Sequence, residues 1–181
     1  MPALSTWTPE DGVLGAVAPL ALAAAAGTAL VVDLDPQGPA YPGNADLAEL
    51  VAEGPTRRDL EPERRGVAVL RNGGVPAEKA AEVLNALAAG WPAVVFRLPP
   101  HRRPDRPGVV PVRPLVPGEL FSGDERPAVY QSAGWRMPQP GPGIVLPRPP
   151  SAVVKALLEG VRPRPNRWVR AWQQVWELPW E

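Results

Sequence analysis

Residues 29–38 read Ala-Leu-Val-Val-Asp-Leu-Asp-Pro-Gln-Gly, an apolar run that ends in two alternating carboxylates and a turn. A continuous run rich in branched apolar residues is typical of a buried strand in a parallel sheet. Polar residues that follow such a strand lie at its carboxyl end, where open α/β sheets bind their ligands. The stretch therefore predicts a parallel sheet, with Asp33 and Asp35 facing a candidate binding crevice.

The sequence around this stretch alternates between the strand pattern and the helix pattern. Strands are predicted over residues 3–7, 28–32, 66–70 and 92–96, and helices over residues 16–26, 44–52, 76–89, 151–161 and 166–178. The expected caps include Gly27 after the first helix and Asn44, Ser151 and Asn166 before later ones. This alternation predicts an α/β fold with a mostly parallel sheet flanked by helices.

The second half of the chain is expected to be less regular. It holds most of the 27 prolines, with weaker strands over residues 109–115 and 128–131 and a Pro- and Gly-rich stretch over residues 133–150. At 181 residues the chain is long enough for one core. We expect an α/β domain over residues 1–161 and a Trp-rich terminal helix within residues 162–181.

Composition excludes several kinds of site. The 19 basic and 19 acidic side chains balance, so net charge does not favour nucleic acid, and the absence of cysteine excludes thiolate metal sites. The basic stretch over residues 101–106 lacks the interleaved aromatic residues of a nucleic-acid site and predicts a solvated loop. We expect no metal site, no cofactor and no nucleic-acid partner.

An uncharged stretch over residues 12–32 has two interpretations, a membrane-targeting segment or a buried helix followed by a buried strand. Glu10 and Asp11 precede it, where a signal peptide needs positive charge, and Pro19 and Gly27 interrupt it. These features favour the buried helix, and with it a cytoplasmic protein without a transmembrane segment.

The order of motifs resembles the ParA/MinD family of deviant-Walker ATPases, and within it the TadZ/CpaE branch that places pilus-secretion machinery. The similar parts are a Gly-containing turn, the Asp-x-Asp-Pro-Gln-Gly pattern at residues 33–38, Gly-Val-Ala-Val-Leu at residues 66–70 and Val-Val-Phe-Arg-Leu-Pro-Pro at residues 94–100. The resemblance covers residues 1–100 and implies a P-loop NTPase fold, shorter than a full family domain.

The resemblance also implies a nucleotide loop, and here its chemistry is missing. Working members use a Lys-Gly-Gly-Val-Gly-Lys-Thr type loop, whose N–H groups and lysines hold phosphates and whose Thr holds Mg²⁺. The corresponding segment keeps Gly12 and Gly15 but has Ala16 and Val17 where Lys and Thr are expected. The carboxylates of residues 10–11 would repel a triphosphate.

A second departure lies at the end of the fourth strand. The family has an aspartate there that orients Mg²⁺, whereas this chain has Arg97, and a guanidinium has no acceptor for a cation. Because Arg97, Asp33 and Asp35 follow neighbouring strands, we expect Arg97 to pair with one of the carboxylates. A separation above about 6 Å would exclude that pairing. The alternative is a strand-end turn without any site.

These departures predict a vestigial nucleotide site without catalytic residues, formed by Gly12, Gly15, Asp33, Asp35 and Arg97. The expected function is a non-catalytic MinD/TadZ-like scaffold or adaptor, and by resemblance it positions a pilus, secretion or division apparatus. The alternative is a divergent, active Mg-ATP-dependent switch that borrows a lysine or arginine from a partner. A DNA-associated ParA relative is disfavoured by the neutral charge.

The C-terminal helix carries tryptophan at every fourth position. Its expected interface residues are Trp168, Trp172, Val175, Trp176 and, past the helix, Trp180. Each tryptophan buries on the order of 150–250 Å², too much to leave in water. Three partners for this face remain open: the protein's own sheet, a protein partner or second copy, and the inner surface of the membrane.

Overall fold

The computed structural model describes residues 3–9, 12–62, 65–100, 104–105, 107–117, 126–135 and 141–181. Its strands are β1 (Ala3–Trp7), β2 (Ala29–Asp33), β3 (Val67–Leu70), β4 (Val94–Arg97), β5 (Val109–Leu115), β6 (Ala128–Ser132) and β7 (Gly143–Leu146). In the described part of the chain they form one seven-stranded sheet of order β3-β2-β4-β1-β5-β6-β7, with every neighbouring pair parallel. The predicted α/β fold with a parallel sheet is confirmed.

Helices cover both faces of the sheet. They are α1 (Val13–Ala26), α2 (Leu47–Glu53), α3 (Arg57–Leu60), α4 (Ala81–Gly90), α5 (Ser151–Leu158), α6 (Arg167–Ala171) and α7 (Gln173–Glu177), and a 3₁₀ turn over Ala77–Ala80 precedes α4. Helices α1, α5, α6 and α7 pack with one apolar cluster, and α2, α3 and α4 with the other. Strand residues alternate between the clusters, as Val31 and Val32 do in β2.

Helix α1 is buried on two opposite sides. Its residues 16–23 are all buried, because the helix lies between the sheet and the layer formed by α5, α6 and α7. A helix buried all round has no need of a polar face, which explains the uncharged stretch. The interpretation of residues 12–32 as a buried helix followed by a buried strand is confirmed. Among the described residues, none of the helices is long and apolar enough to span a bilayer.

The C-terminal third contributes more strands than expected. β5 and β6 match the two weak strand predictions, but β7 lies within residues 133–150, where irregular structure was predicted. β5 pairs with β1 through residues 109–111 and with β6 through residues 112–115, so it changes partner between its two prolines. The proline-rich sequence therefore extends the parallel sheet.

The N-cap prediction for α2 was wrong by two residues. Asp46, rather than Asn44, caps the helix, and its carboxylate accepts a hydrogen bond from the N–H of Glu49 at 3.0 Å. The helix starts later because the preceding segment continues the sheet edge beyond β3. There the N–H of Leu47 donates to the carbonyl of Arg71 at 2.7 Å.

Two other local predictions also need correction. No helix was predicted between residues 52 and 66, yet α3 forms there, with a capping box in which the Thr56 backbone N–H and hydroxyl both donate to Asp59. Ser151 was predicted to cap α5, but it is the first helical residue and Pro150 holds the N-cap position. In contrast, the predicted cap Asn166 is confirmed, since its side chain accepts from the N–H of Val169 at 2.9 Å.

Candidate functional site: a buried Asp-Arg-Asp cluster at the carboxyl edge of the sheet

Two neighbouring strands bring the predicted site residues together. Asp33 is the last residue of β2 and Arg97 the last residue of β4, and the parallel register places them side by side. Asp35 follows two residues after β2 and is also buried. The parallel arrangement thus places the Arg97 cation and the two aspartate carboxylates at the same carboxyl edge of the sheet.

The guanidinium of Arg97 bridges the two carboxylates. Its Nη1 lies 3.4 Å from Oδ2 of Asp33, and its Nη2 lies 3.1 Å from Oδ2 of Asp35. All three side chains are at most 4% exposed, so the pairs are shielded from water. Both distances fall well inside the limit of about 6 Å set for the expected pairing. The predicted ion pair is confirmed, and Arg97 engages both aspartates rather than one.

The turn after β2 is organised by the same aspartates. The Asp33 carboxylate accepts from the N–H of Asp35 at 3.0 Å, and the Asp35 carboxylate accepts from the N–H of Gln37 at 3.2 Å. Asn72, which follows β3, donates from Nδ2 to the backbone carbonyl of Asp33 at 3.2 Å. Each aspartate therefore stabilises the turn after β2 by accepting a backbone hydrogen bond, and each also pairs with the charge of Arg97.

The loop over residues 36–41 closes directly over the guanidinium. A Cβ atom added to Gly38 would overlap the Arg97 guanidinium and the Asp35 carboxylate, so only glycine permits this approach. The carbonyl of Pro39 accepts from Arg97 Nη1 at 2.9 Å. The Tyr41 ring lies beneath the guanidinium, with its centroid 5.3 Å from Cζ. The loop over residues 36–41, which contains the Pro-Gln-Gly turn, thus covers the guanidinium of Arg97, and we call this loop the lid.

Tyr41 connects this lid to α1. Its hydroxyl donates to the carbonyl of Ala16 at 2.7 Å, in the first half of the helix. Burial raises the pKa of Tyr41, so the hydroxyl stays protonated and remains a donor. Sequence reasoning did not select this residue. The one signal in the sequence is that Tyr41 is the single aromatic residue in a loop rich in Pro and Gly.

The two glycines of the predicted vestigial loop lie at the start of α1. Gly12 is the N-cap in an extended conformation, and Gly15 is half-buried in the first turn, next to the carbonyl that accepts from Tyr41. Glu10 and Asp11, expected to repel phosphate here, lie outside the described residues, as do His101 to Arg103 and Arg106 of the basic stretch. The Tyr41 hydrogen bond is what joins the α1 start to the cluster.

Burial perturbs the acid-base chemistry of the cluster. It raises the pKa of Asp33 to about 6, although Arg97 and the Asp35 N–H both favour the ionised form. Two carboxylates share one guanidinium, and the second negative charge also opposes ionisation of Asp33. The cluster therefore approaches neutrality when Asp33 takes up a proton.

Arg97 occupies the space in which an aspartate pair would otherwise meet a cation. The carboxylate oxygens that could ligate a metal already face its guanidinium, and like charge at that position opposes a second cation. In the described part of the chain, no group of three or more His, Cys, Asp or Glu side chains is arranged to hold a metal ion. The arrangement is suited to holding the strand ends and the lid together.

The tryptophans predicted as an interface lie elsewhere, against α1. Trp168, Trp172, Val175 and Trp180 are buried, Trp176 is half-buried, and all belong to or pack with the cluster that contains α1. The predicted single helix is divided at Trp172 into α6 and α7. Of the three partners considered, the structure places the protein's own fold against this face, so these side chains form core rather than an exposed partner surface.

Hydrogen bonds fix three of the four indole rings. Trp168 donates to Oε1 of Gln131 in β6 at 2.8 Å, Trp176 to the carbonyl of Leu22 in α1 at 3.0 Å, and Trp180 to the carbonyl of Val175 at 2.7 Å. The Trp172 ring meets the Trp168 ring edge-on at a centroid distance of 6.0 Å, but its own N–H finds no hydrogen-bond partner among the residues that the structure describes. The C-terminal segment is therefore held in one defined orientation against the rest of the fold.

Comparison with models of known protein families and with curated protein sequences yields no match for this chain. The features of this chain that bear on its function are therefore the Asp-Arg-Asp cluster and its lid. They place a filled crevice at the edge of the sheet where open α/β folds bind ligands.

Proposed function

We propose that the protein is a non-catalytic scaffold or adaptor of MinD/TadZ-like type, which acts through contacts with protein partners. The observation that carries the proposal is the buried guanidinium of Arg97 between Asp33 and Asp35. In the resembling family this edge of the sheet serves Mg²⁺ and nucleotide, and here it is filled from within. By the same resemblance, the process is the positioning of a pilus, secretion or division apparatus.

The lid supports the non-catalytic part of the proposal. Gly38 and Pro39 contact the guanidinium and Tyr41 lies below it, so a triphosphate would have to displace a packed loop as well as an ion pair. Breaking a buried pair by removing one partner costs about 3–5 kcal/mol. Nucleotide binding at this edge would have to offset that cost without a P-loop lysine.

A thermal-shift titration with ATP, ADP and Mg²⁺ tests this part. A ligand at a hundred times its dissociation constant adds about 2.7 kcal/mol to stability and raises the melting temperature by several degrees. We expect no shift at millimolar nucleotide. A Mg²⁺-dependent shift that disappears in Asp35→Asn would establish a working nucleotide site and contradict the proposal.

The scaffold part needs a separate experiment. The full chain is cross-linked to its neighbours in its native cells and purified. We expect it to carry the protein components of one defined assembly, and we expect the same set of proteins when the cells are depleted of ATP. Loss of that set on ATP depletion would indicate a nucleotide switch in place of a constitutive adaptor. Recovery of DNA fragments without any defined protein set would favour the DNA-associated alternative.

A further inference from the structure

A cavity lies away from the Asp-Arg-Asp cluster, on the face of the sheet covered by α1. It has a volume of about 470 Å³ and is lined by α1, the edge strand β3, the end of α5, α6 and the segment 159–166 that connects these two helices. Cavities of roughly 300–1,000 Å³ are the size that small organic ligands occupy. We call this cavity the β3 groove.

The floor of the β3 groove is apolar. Aliphatic side chains from four elements contribute to it, namely Leu20, Ala24, Val67, Val69, Leu157 and Val169, and the polar side chains of Asn166 and Gln173 also line the groove. Leu20 and Leu157 are buried, while Val67, Val69 and Val169 are only half-buried although the sheet and helices surround them. The sheet edge thus leaves an apolar surface that the described residues cover only in part.

The rim of the β3 groove is positively charged. Arg65 lies at the β3 side, and Arg162, Arg164 and Arg170 lie on the opposite wall, all of them exposed. None of these four makes an ion pair or side-chain hydrogen bond within the described residues, and no aspartate or glutamate lines the groove there. Four unpaired arginines around one cavity contrast with the zero net charge of the whole chain.

We propose that the β3 groove binds a small amphiphile with a single apolar chain and an anionic head, of the carboxylate or phosphate class. The aliphatic floor buries the chain, and the arginines offer forked donors that match a carboxylate or phosphate. The volume of about 470 Å³ is of the size that holds one small apolar chain, whereas a flat bilayer surface would leave such a cavity unfilled. The charge complementarity favours an anionic head over a neutral or cationic one.

The groove also approaches the lid of the cluster. Gly160 on its wall lies close to Pro42, since an added Cβ would sit 3.3 Å from Cγ of that proline, and Pro42 follows the Tyr41 that supports Arg97. The groove and the cluster are nevertheless separate sites with different lining residues. Binding in the groove therefore does not depend on the proposed scaffold function.

Fluorescence of dansylated undecanoate titrated into the full-length protein tests the proposal. We expect saturable enhancement that laurate and lauryl phosphate displace, with methyl laurate weaker by about tenfold or more because it lacks the anionic head. Absence of enhancement, or equal displacement by methyl laurate, would overturn the proposal. If inorganic phosphate alone displaced the probe at the concentration effective for laurate, the groove would be a simple anion site. That result would also overturn the proposal.

Matched charge reversals locate the binding. The double variant Arg162→Glu with Arg170→Glu should weaken binding of the probe by about tenfold or more, whereas Arg148→Glu with Arg167→Glu makes the same charge change at residues that do not line the groove and should leave binding unchanged. Equal loss in both pairs would assign the effect to overall charge and contradict the proposal. Ala24→Leu keeps all charges and should weaken binding by filling the floor.

Vesicles distinguish the free amphiphile from a membrane surface. Full-length protein is sedimented with vesicles of anionic phospholipid, with and without laurate. We expect little sedimentation, because the cavity accepts single chains. Strong sedimentation that laurate does not reduce, and that both double variants lose equally, would assign the arginines to a bilayer surface and overturn the proposal.

Discussion

The Asp-Arg-Asp cluster closes the carboxyl edge of the sheet, whereas the tryptophan layer covers α1, and the two closures rest on different physics. In the cluster, three charges must meet at distances of 3.1–3.4 Å under a glycine that cannot carry a side chain. In the layer, large apolar rings cover α1, and one buried indole N–H is tolerated without a partner in the described part of the chain. The charged closure therefore depends on every one of its members, whereas the apolar closure depends on the area that is buried.

The largest expected effect is the loss of the cation from the cluster. Arg97→Met leaves Asp33 and Asp35 buried without a counter-charge, and we expect it to lower the free energy of unfolding by about 3–5 kcal/mol at pH 7. Urea unfolding measures this change. Adding Asp33→Asn and Asp35→Asn to the variant should restore most of the loss. A loss below about 1 kcal/mol in Arg97→Met would place the pair among ordinary surface salt bridges.

The pH dependence of stability should carry a signature of Asp33. Its pKa rises from 3.8 when unfolded to about 6 when folded, so between these values the folded state holds a proton that the unfolded state has released. The contribution of Asp33 to stability is therefore present below about pH 4 and lost as the pH rises through 6. Its size is on the order of 2–3 kcal/mol.

Asp33→Asn provides the reference for that measurement. Urea midpoints of the wild type and the variant are compared at intervals from pH 4 to pH 7. The stability of the wild type relative to the variant should fall across this range. A relative stability that rises with pH would mean that Arg97 outweighs burial and that the pKa of Asp33 is depressed.

Glycine at position 38 should matter for space rather than for backbone freedom. Gly38→Ala drives a methyl group into the guanidinium and the Asp35 carboxylate, and we expect a loss of about 1–3 kcal/mol. Gly12→Ala is the matched control, because an added Cβ there meets nothing within 4 Å and the backbone is extended. Thermal unfolding of both variants measures the two changes in stability. An equal loss of stability in Gly38→Ala and Gly12→Ala would show that the lid does not pack on Arg97.

The smallest effect should come from the indole N–H groups. Trp168→Phe leaves Oε1 of buried Gln131 without its indole donor, whereas Trp172→Phe removes an N–H that has no hydrogen-bond partner within the described residues. We expect Trp168→Phe to be less stable than Trp172→Phe by about 1 kcal/mol, since both remove similar ring area. Chemical unfolding of the two variants measures the difference. The reverse order would mean that apolar area alone governs the layer.

Much of the cluster could be predicted because its members follow recognisable strands. Asp33, Asp35 and Arg97 each lie at or just beyond the carboxyl end of a short apolar run, and parallel strands bring such ends together. Tyr41 lies in a loop of turn residues, where no periodic pattern reports which side chain turns inward. The same holds for Asp46, which caps α2 because the preceding segment joins the sheet edge.

The alternation of strands and helices and the burial of residues 16–23 can be predicted from side-chain periodicity and helix termination, which depend on neighbours in the chain. The pairing of Arg97 with the aspartates can be predicted as well, because parallel strands end at a shared edge of the sheet. Only tertiary packing fixes that the tryptophan face covers α1, that β7 extends the sheet and that the β3 groove stays open. An amphipathic helix or a sheet edge demands a partner without specifying it, because apolar burial is non-directional and only the packed fold supplies the surface.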